Sequence, residues 1–257
     1  MDTEIENWQT RKLYKYRVFD VYTTALLVNR ELYFAATYQL NDPYDCQISV
    51  TAAINAAIVQ TEQETVQKIL AKLERLKKLS EVLRKMERDT QKIGVLSLSQ
   101  ENLNALMWSH YADEHKGLCL GFRFSTKITE YDKENKIIGT TACHYCRNNP
   151  FSDFFIEFAQ ADDLIRWDEF WPAIISLGMA SKFEAWQHEN EVRVLRTEPG
   201  FVSFQPEELT EVIFGMRMDQ RARSTVRRLL SGGDWTHLKY RQVVKPDAGF
   251  GLALVDV

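Results

Sequence analysis

Between Val50 and Lys92 the chain has no glycine or proline, and charged residues are dense. Apolar residues fall at Val66, Ile69, Leu73, Leu76, Leu83 and Met86, at spacings of three, four or a multiple of seven, which predicts an amphipathic helix. Thr61, followed three positions later by Glu64, is a capping-box pattern that starts this helix near Glu62. A shorter helix is expected over Ala52 to Gln60. The apolar stripe is narrow, as in a helical hairpin or a coiled-coil dimer, and Lys77, Lys78, Arg84, Lys85 and Arg88 form a solvated flank.

On either side of this region the pattern changes. Lys12 to Phe19 and Glu31 to Ala35 are rich in aromatic and apolar residues and read as strands around a short helix over Tyr22 to Asn29. Asn41-Asp42-Pro43-Tyr44-Asp45 is a turn, because Asn and Asp hydrogen-bond locally and Pro pre-sets its own dihedral. A strand over Gly94 to Leu98, a helix over Asn102 to Tyr111 and a strand over Gly117 to Phe124 follow. Phe151 to Phe183 reads as helical with a break at Pro172. Strands are expected at Glu189, near Phe201, at Val212 to Phe214, and around His237 to Val243 and Phe250 to Val255. A helix over Gln220 to Leu230, carrying Arg221, Arg223, Arg227 and Arg228, stops at Gly232-Gly233. Helices and strands mix without strict alternation, so the expected class is α+β: one domain over 1–257 with a helical module inserted at 51–92.

Within the strand at Glu189, residues two apart share a face. Glu189, Glu191 and Arg193 are then expected on one side, with Val192 and Val194 on the other. Two carboxylates and a guanidinium are costly beside a core unless they serve a site or pair with one another. Four polar clusters result: Lys15-Tyr16-Arg17, the 41–45 turn, Met107 through Asp113, and Lys182 through Arg193, which contains these two glutamates with Trp186 before them.

Composition narrows the chemistry. Hydrophobic residues make up 45% of the 257, enough for a packed core, and a formal charge of −4 rules out a global basic field for nonspecific nucleic-acid binding. The N-terminal Met1 to Glu6 is acidic and unlike a secretory signal, and no apolar run has the length of a membrane span, so a cytoplasmic protein is expected. Cys143 and Cys146 form one C-x-x-C without a second pair at zinc-ribbon spacing, and reduced thiols with no metal are the simpler reading. A Gly-rich phosphate loop, a G-x-S-x-G elbow and H-E-x-x-H are all missing from the sequence.

Six segments together match a family pattern: L-Y-K-Y-R (13–17), L-Y-F-A-A-T-Y-Q-L-N-D-P-Y-D-C (32–46), L-S-L-S (96–99), M-W-S-H-Y-A-D-E-H-K-G-L-C-L-G-F (107–122), S-K-F-E-A-W-Q-H-E-N-E-V-R-V-L (181–195) and V-I-F-G (212–215). In this order they resemble a widespread bacterial family of domains of unknown function, family 2971. The layout further resembles toxin-type ADP-ribosyltransferases, in which an early strand carries a basic residue and a later strand a glutamate, often as E-x-E. Lys15-Tyr16-Arg17 would supply the first motif and Glu189-Asn190-Glu191 the last. The second motif falls on Tyr33-Phe34-Ala35-Ala36-Thr37, which has Ala-Ala-Thr where such enzymes often have Ser-Thr-Ser.

The resemblance implies a mixed or antiparallel sheet core of ADP-ribosyltransferase type, and NAD as substrate. It gives Glu191 the developing oxocarbenium ion, and Glu189 the acceptor as orienting group or general base. Lys15 or Arg17 would hold the pyrophosphate, with Tyr16 beside them, and Trp108, Tyr111 or Trp186 would stack on a base. Asn41 and His110 would bind ribose hydroxyls, and Lys182 completes the cofactor set. The acceptor would be a protein or nucleic acid, in a toxin or antiphage role. One rival is a non-catalytic nucleotide sensor or partner-binding module that dimerises or docks through the 62–91 helix. Another is a nuclease with Asp42, Asp45, Glu189 and Glu191 converging on metal ions.

Overall fold

The computed structural model describes residues 10–46, 88–160 and 167–257, with a few positions between 55 and 68. The long helix expected over 62–91 and the shorter one before it fall almost wholly outside the described residues. Contacts divide the chain into two compact units: residues 1–35, 94–142 and 188–257 form one, and residues 36–93 and 143–187 the other.

The first unit is built on a ten-stranded mixed sheet. Its elements are β1 (Leu13–Arg17), α1 (Val21–Asn29), β2 (Glu31–Ala36), β3 (Gly94–Ser99), α2 (Ala105–Tyr111), β4 (Leu118–Phe122), α3 (Thr126–Thr129) and β5 (Ile137–Ala142). In the second unit lie β6 (His144–Cys146), α4 (Pro150–Gln160), α5 (Trp167–Ala180) and β7 (Ser181–Phe183). The first unit resumes with β8 (Glu191–Arg196), β9 (Gly200–Ser203), β10 (Leu209–Phe214), α6 (Gln220–Leu229), β11 (Lys239–Val244) and β12 (Ala253–Asp256). Strand order runs β12-β11-β10-β4-β1-β3-β2-β9, and β8 pairs with β3 on one side and β5 on the other. The β10–β11 pair is parallel, bridged in sequence by α6, and β1, β4, β3 and β8 pair antiparallel. The class is therefore α+β, with a large mixed sheet.

Local chemistry accounts for these elements. Asp20 caps α1 by accepting from the Thr23 amide, and Arg30 in the left-handed conformation ends it. Asn104 caps α2 through two backbone amides, so that helix begins three residues later than the sequence pattern suggested. α5 runs through Pro172 as one helix, against the break expected there. β5, unread in the sequence, is a polar strand that pairs along β8.

Directly opposed residues of an antiparallel pair share a face. The core on one face includes Leu13, Leu120, Phe122, Leu98, Val192, Val194, Val212 and Phe214, and α6 covers part of it with Val226. On the other face Tyr16, Trp108, Cys119, Ile213 and Val243 form a second buried cluster under α2. Between α2 and β4 the chain makes a left-handed turn: Asp113, Glu114 and His115 have φ of 48°, 51° and 72°. The turn is tied down by hydrogen bonds from the His115 amide to the Trp108 carbonyl and from the Arg217 amide to the His115 carbonyl. Gly215 lies so close beneath the His115 carbonyl that a side chain there would collide with it.

Candidate functional site

One row of opposed residues crosses five strands of the sheet: Glu211 on β10, Gly121 on β4, Tyr14 on β1, Ser99 on β3 and Glu191 on β8. It places a carboxylate at each end of a single face. The Glu191 and Glu211 side chains are 3% and 1% exposed, so both depend on partners for their charge.

Glu191 has its partner two residues along β8. Arg193 donates from Nε to Oε1 at 3.0 Å and from Nη2 to Oε2 at 3.1 Å, a two-point clamp between buried groups. Lys15 on β1 is partly buried, and its amine donates to the Ser97 carbonyl at 3.0 Å. Its pKa is lowered to about 8, because burial disfavours the charge and Arg17 repels it, while the negative Glu191 works in the opposite direction. Arg17 donates from Nε to Thr23 Oγ1 at 3.0 Å. Its pKa is also lowered, mainly by burial, with Asp20 opposing the shift.

Glu189 is not on the strand with Glu191. It ends a 3-10 turn over Glu184–Glu189, and Asn190 follows with φ of 43°, so β8 starts at Glu191. Asn tolerates the left-handed conformation, which offsets the alternation that had placed three charged residues in register. Glu189 is 5% exposed and accepts from the Tyr111 hydroxyl at 2.5 Å. Its carbonyl accepts from Ser99 Oγ at 2.7 Å. Asn104 Nδ2 donates to the His188 carbonyl at 2.7 Å, and Gln100 Nε2 to Asn190 Oδ1 at 2.9 Å. The segment before β8 is thus laced to the segment after β3.

Of the sequence-assigned residues, the first unit gathers Glu191 and Glu189 with Tyr111 on one face of the sheet, whereas Lys15 and Arg17, alternating with Tyr14 and Tyr16 along β1, project from the opposite face with Leu13. Tyr16 and Trp108 lie in the core instead: Trp108 is 0% exposed, stands edge-on to Tyr16 at 5.2 Å, and donates from Nε1 to the Asn102 carbonyl. Trp108 therefore presents no surface on which a base could stack. His110 is exposed, with its ring 6.0 Å from that of His188.

Asn41, Lys182 and Trp186 belong to the second unit. There the Lys182 amine lies 3.5 Å from Asp45 Oδ2 and 5.5 Å from the Trp186 ring centre, and both charged side chains are almost fully buried. Asn41 is exposed, on a turn where Asp42 accepts from the Tyr44 amide. Cys143 and Cys146 form no disulfide, and burial, with a smaller contribution from Asp153, raises the Cys146 thiol pKa. Among the described residues no group of three His, Cys, Asp or Glu side chains could hold a metal ion, so the nuclease expectation finds no metal cluster there. No helix among them is long and apolar enough to cross a membrane.

Sequence reasoning missed Glu211 and Tyr14. Glu211 pairs with Lys12 at 2.9 Å and with Arg241 at 3.5 Å. Burial and the Glu211 charge push the Tyr14 phenol up to about 12. Gly121 makes room for this carboxylate: a Cβ there would come within 2.6 Å of Glu211 Cγ. A lone acid inside the apolar run Leu209-Thr210-Glu211-Val212-Ile213-Phe214 was the available signal.

A family model described as "Protein of unknown function (DUF2971)" matches residues 107–194. The chain is similar to that family from α2 to β8, the stretch that carries the left-handed turn, Glu189, Glu191 and Arg193. No curated protein and no solved structure matches.

Proposed function

We propose that the chain is an ADP-ribosyltransferase-like enzyme that uses NAD as substrate and transfers ADP-ribose to a protein or nucleic-acid acceptor. The observation that carries this reading is that β1 and β8 both pair with β3, so that the Glu191 charge still reaches Lys15, although Lys15 and Arg17 project from the opposite face of the sheet.

In this reading Arg193 keeps Glu191 ionised, and the carboxylate acts through space on the positive charge that develops at the ribose as nicotinamide leaves. Arg17, whose Nη groups have no hydrogen-bond partner among the described residues, binds the pyrophosphate with Lys15. Glu189, oriented by Tyr111, takes the acceptor's proton.

One observation favours a second reading, a non-catalytic nucleotide-binding module. Arg193 engages both Glu191 oxygens, and the residue is nearly inaccessible. Incubation of wild type and Glu191→Gln with labelled NAD and cell extract separates the two. Nicotinamide release or label transfer that drops at least a hundredfold in the variant is the result expected of the enzyme. NAD binding without release, unchanged by Glu191→Gln and weakened by Arg17→Ala, would establish the module instead. Neither release nor NAD binding would remove both.

A further inference from the structure

A cavity of about 220 Å³ opens beside α6, lined by Phe214, Gln220, Arg223, Ser224, Arg227 and Val257. Gln220, Arg223, Ser224 and Arg227 recur at the three- and four-residue spacing that puts side chains on one face of a helix. No acidic side chain lines the cavity, and the anionic group at its edge is the α-carboxylate of Val257, which forms no ion pair with either arginine among the described residues. On the neighbouring elements Asp219 caps α6 through the Arg221 and Ala222 amides, and Asp256 faces Arg241 at 3.3 Å.

Both arginines are held in place without an anion. Arg223 donates from Nη1 to Gln242 Oε1 at 2.7 Å, while its Nε is buried and has no acceptor among the described residues. The Nε–Nη2 edge is therefore unfilled, and it is the edge with which Arg193 grips Glu191. Arg227 stacks over the Tyr240 ring at 4.4 Å and the Phe214 ring at 5.6 Å, which fixes its plane and leaves its donors for other acceptors. A buried N–H without an acceptor is costly, and a cavity edged by such a donor is completed by an acceptor from outside.

Placement agrees with this. α6 follows β10 and precedes the parallel strand β11, and Phe214 ends β10. In parallel β-α-β units, ligands bind at the carboxyl ends of the strands. With Asp219 serving the helix terminus, the donors available here are side chains on the helix face.

We infer that this cavity is a binding site for the phosphate group of a small phosphomonoester. Two guanidinium groups and the Gln220 amide offer more donors than the two oxygens of a carboxylate accept, and they suit the three oxygens of a phosphoryl group, while the Ser224 hydroxyl donates to the Gln220 carbonyl at 2.9 Å. The volume leaves room for part of the esterified group. The site uses no residue of the NAD reading and stands independently of it.

Calorimetric titration with inorganic phosphate, ribose 5-phosphate and acetate tests the assignment. Wild type is expected to bind both phosphates, with ribose 5-phosphate the tighter, and to ignore acetate. Arg223→Gln and Ser224→Asp should each weaken binding at least tenfold. Ser224 is exposed, so its variant keeps the fold, and thermal melting verifies this for both. Arg228→Gln, an exposed change outside the cavity lining, should leave the affinity unaltered. Wild type that gives no heat with millimolar phosphate would overturn the site, as would cavity variants that bind like wild type. An equal loss in Arg228→Gln would replace it with a diffuse basic surface, and equal binding of acetate would overturn the phosphoryl assignment.

Discussion

Arg193 and Arg223 show the same guanidinium edge in two opposite settings. Arg193 is 0% exposed, and its Nε and Nη2 are filled by a carboxylate supplied two residues away on the same strand. Arg223 has an equally enclosed Nε, yet among the described residues its acceptor is Gln242, on the opposite edge. In the first setting the buried charge is neutralised internally and fixes the fold. In the second, the protein bears the cost of a donor without an acceptor. Unmet hydrogen-bonding capacity separates the two, together with burial, since Arg193 is wholly buried and Arg223 only partly so.

The sharpest way to break the contrast is Arg193→Met, which takes the two-point clamp away from the buried Glu191. Urea unfolding should show a loss of about 3–5 kcal/mol, and Arg193→Met combined with Glu191→Leu should recover most of it. If the single variant were as stable as wild type, Arg193 would not be holding that charge.

Lys15 gives the next effect. In the folded chain its pKa is about 8, against an ordinary value of 10.5. Between these values the unfolded chain holds the extra proton, so stability rises with pH across this window, and below about 8 the cost is fully present. The stability of wild type minus that of Lys15→Met should therefore climb by roughly 2 kcal/mol from pH 8 to 10.5. A flat difference would place the Lys15 amine in water. Taking this difference cancels the opposing contributions of Tyr14, whose pKa of about 12 makes stability fall above pH 10, and of the buried Cys119, raised by burial and by Glu211.

Smallest is Arg223→Gln. With no carboxylate left behind, its stability in phosphate-free buffer should stay within about 0.5 kcal/mol of wild type. A loss comparable to that of Arg193→Met would mean that Arg223 is a structural arginine too.

Much of the architecture was legible because local pattern and tertiary role coincide. Lys12 to Phe19, Glu31 to Ala35 and Gln220 to Leu230 look like what they form, since the apolar residues that suit each element also bury it. Glu189 misled for the converse reason. Alternation in Glu189-Asn190-Glu191 fits a strand, but the lacing of Asn190 and His188 to Gln100 and Asn104 favours a left-handed residue, and those partners are distant in sequence. α5 continues through Pro172, where a local rule predicted a stop. β5 went unread because Ile-Ile-Gly-Thr-Thr-Ala owes its pairing to β8. At the site, Lys15, Arg17 and Glu191 were visible as charges in apolar strands. The cross-strand row that joins Tyr14 and Glu211 to Glu191, and the pleat that turns Lys15 and Arg17 to the other face, exist only in the register of five strands.

Ser99 and Glu189, hydrogen-bonded across the start of the β3–β8 pair, lie 90 positions apart in the chain. That separation carries a kinetic consequence. β8 cannot dock between β3 and β5 until a long loop has closed, and the entropy of closure is spent before the pairing returns any of it. Refolding is accordingly expected to be slow for a chain of this size, with β8 docking in a late step. Substitutions in β8, Arg193→Met among them, are then expected to raise the unfolding rate and leave the refolding rate nearly unchanged in stopped-flow measurements.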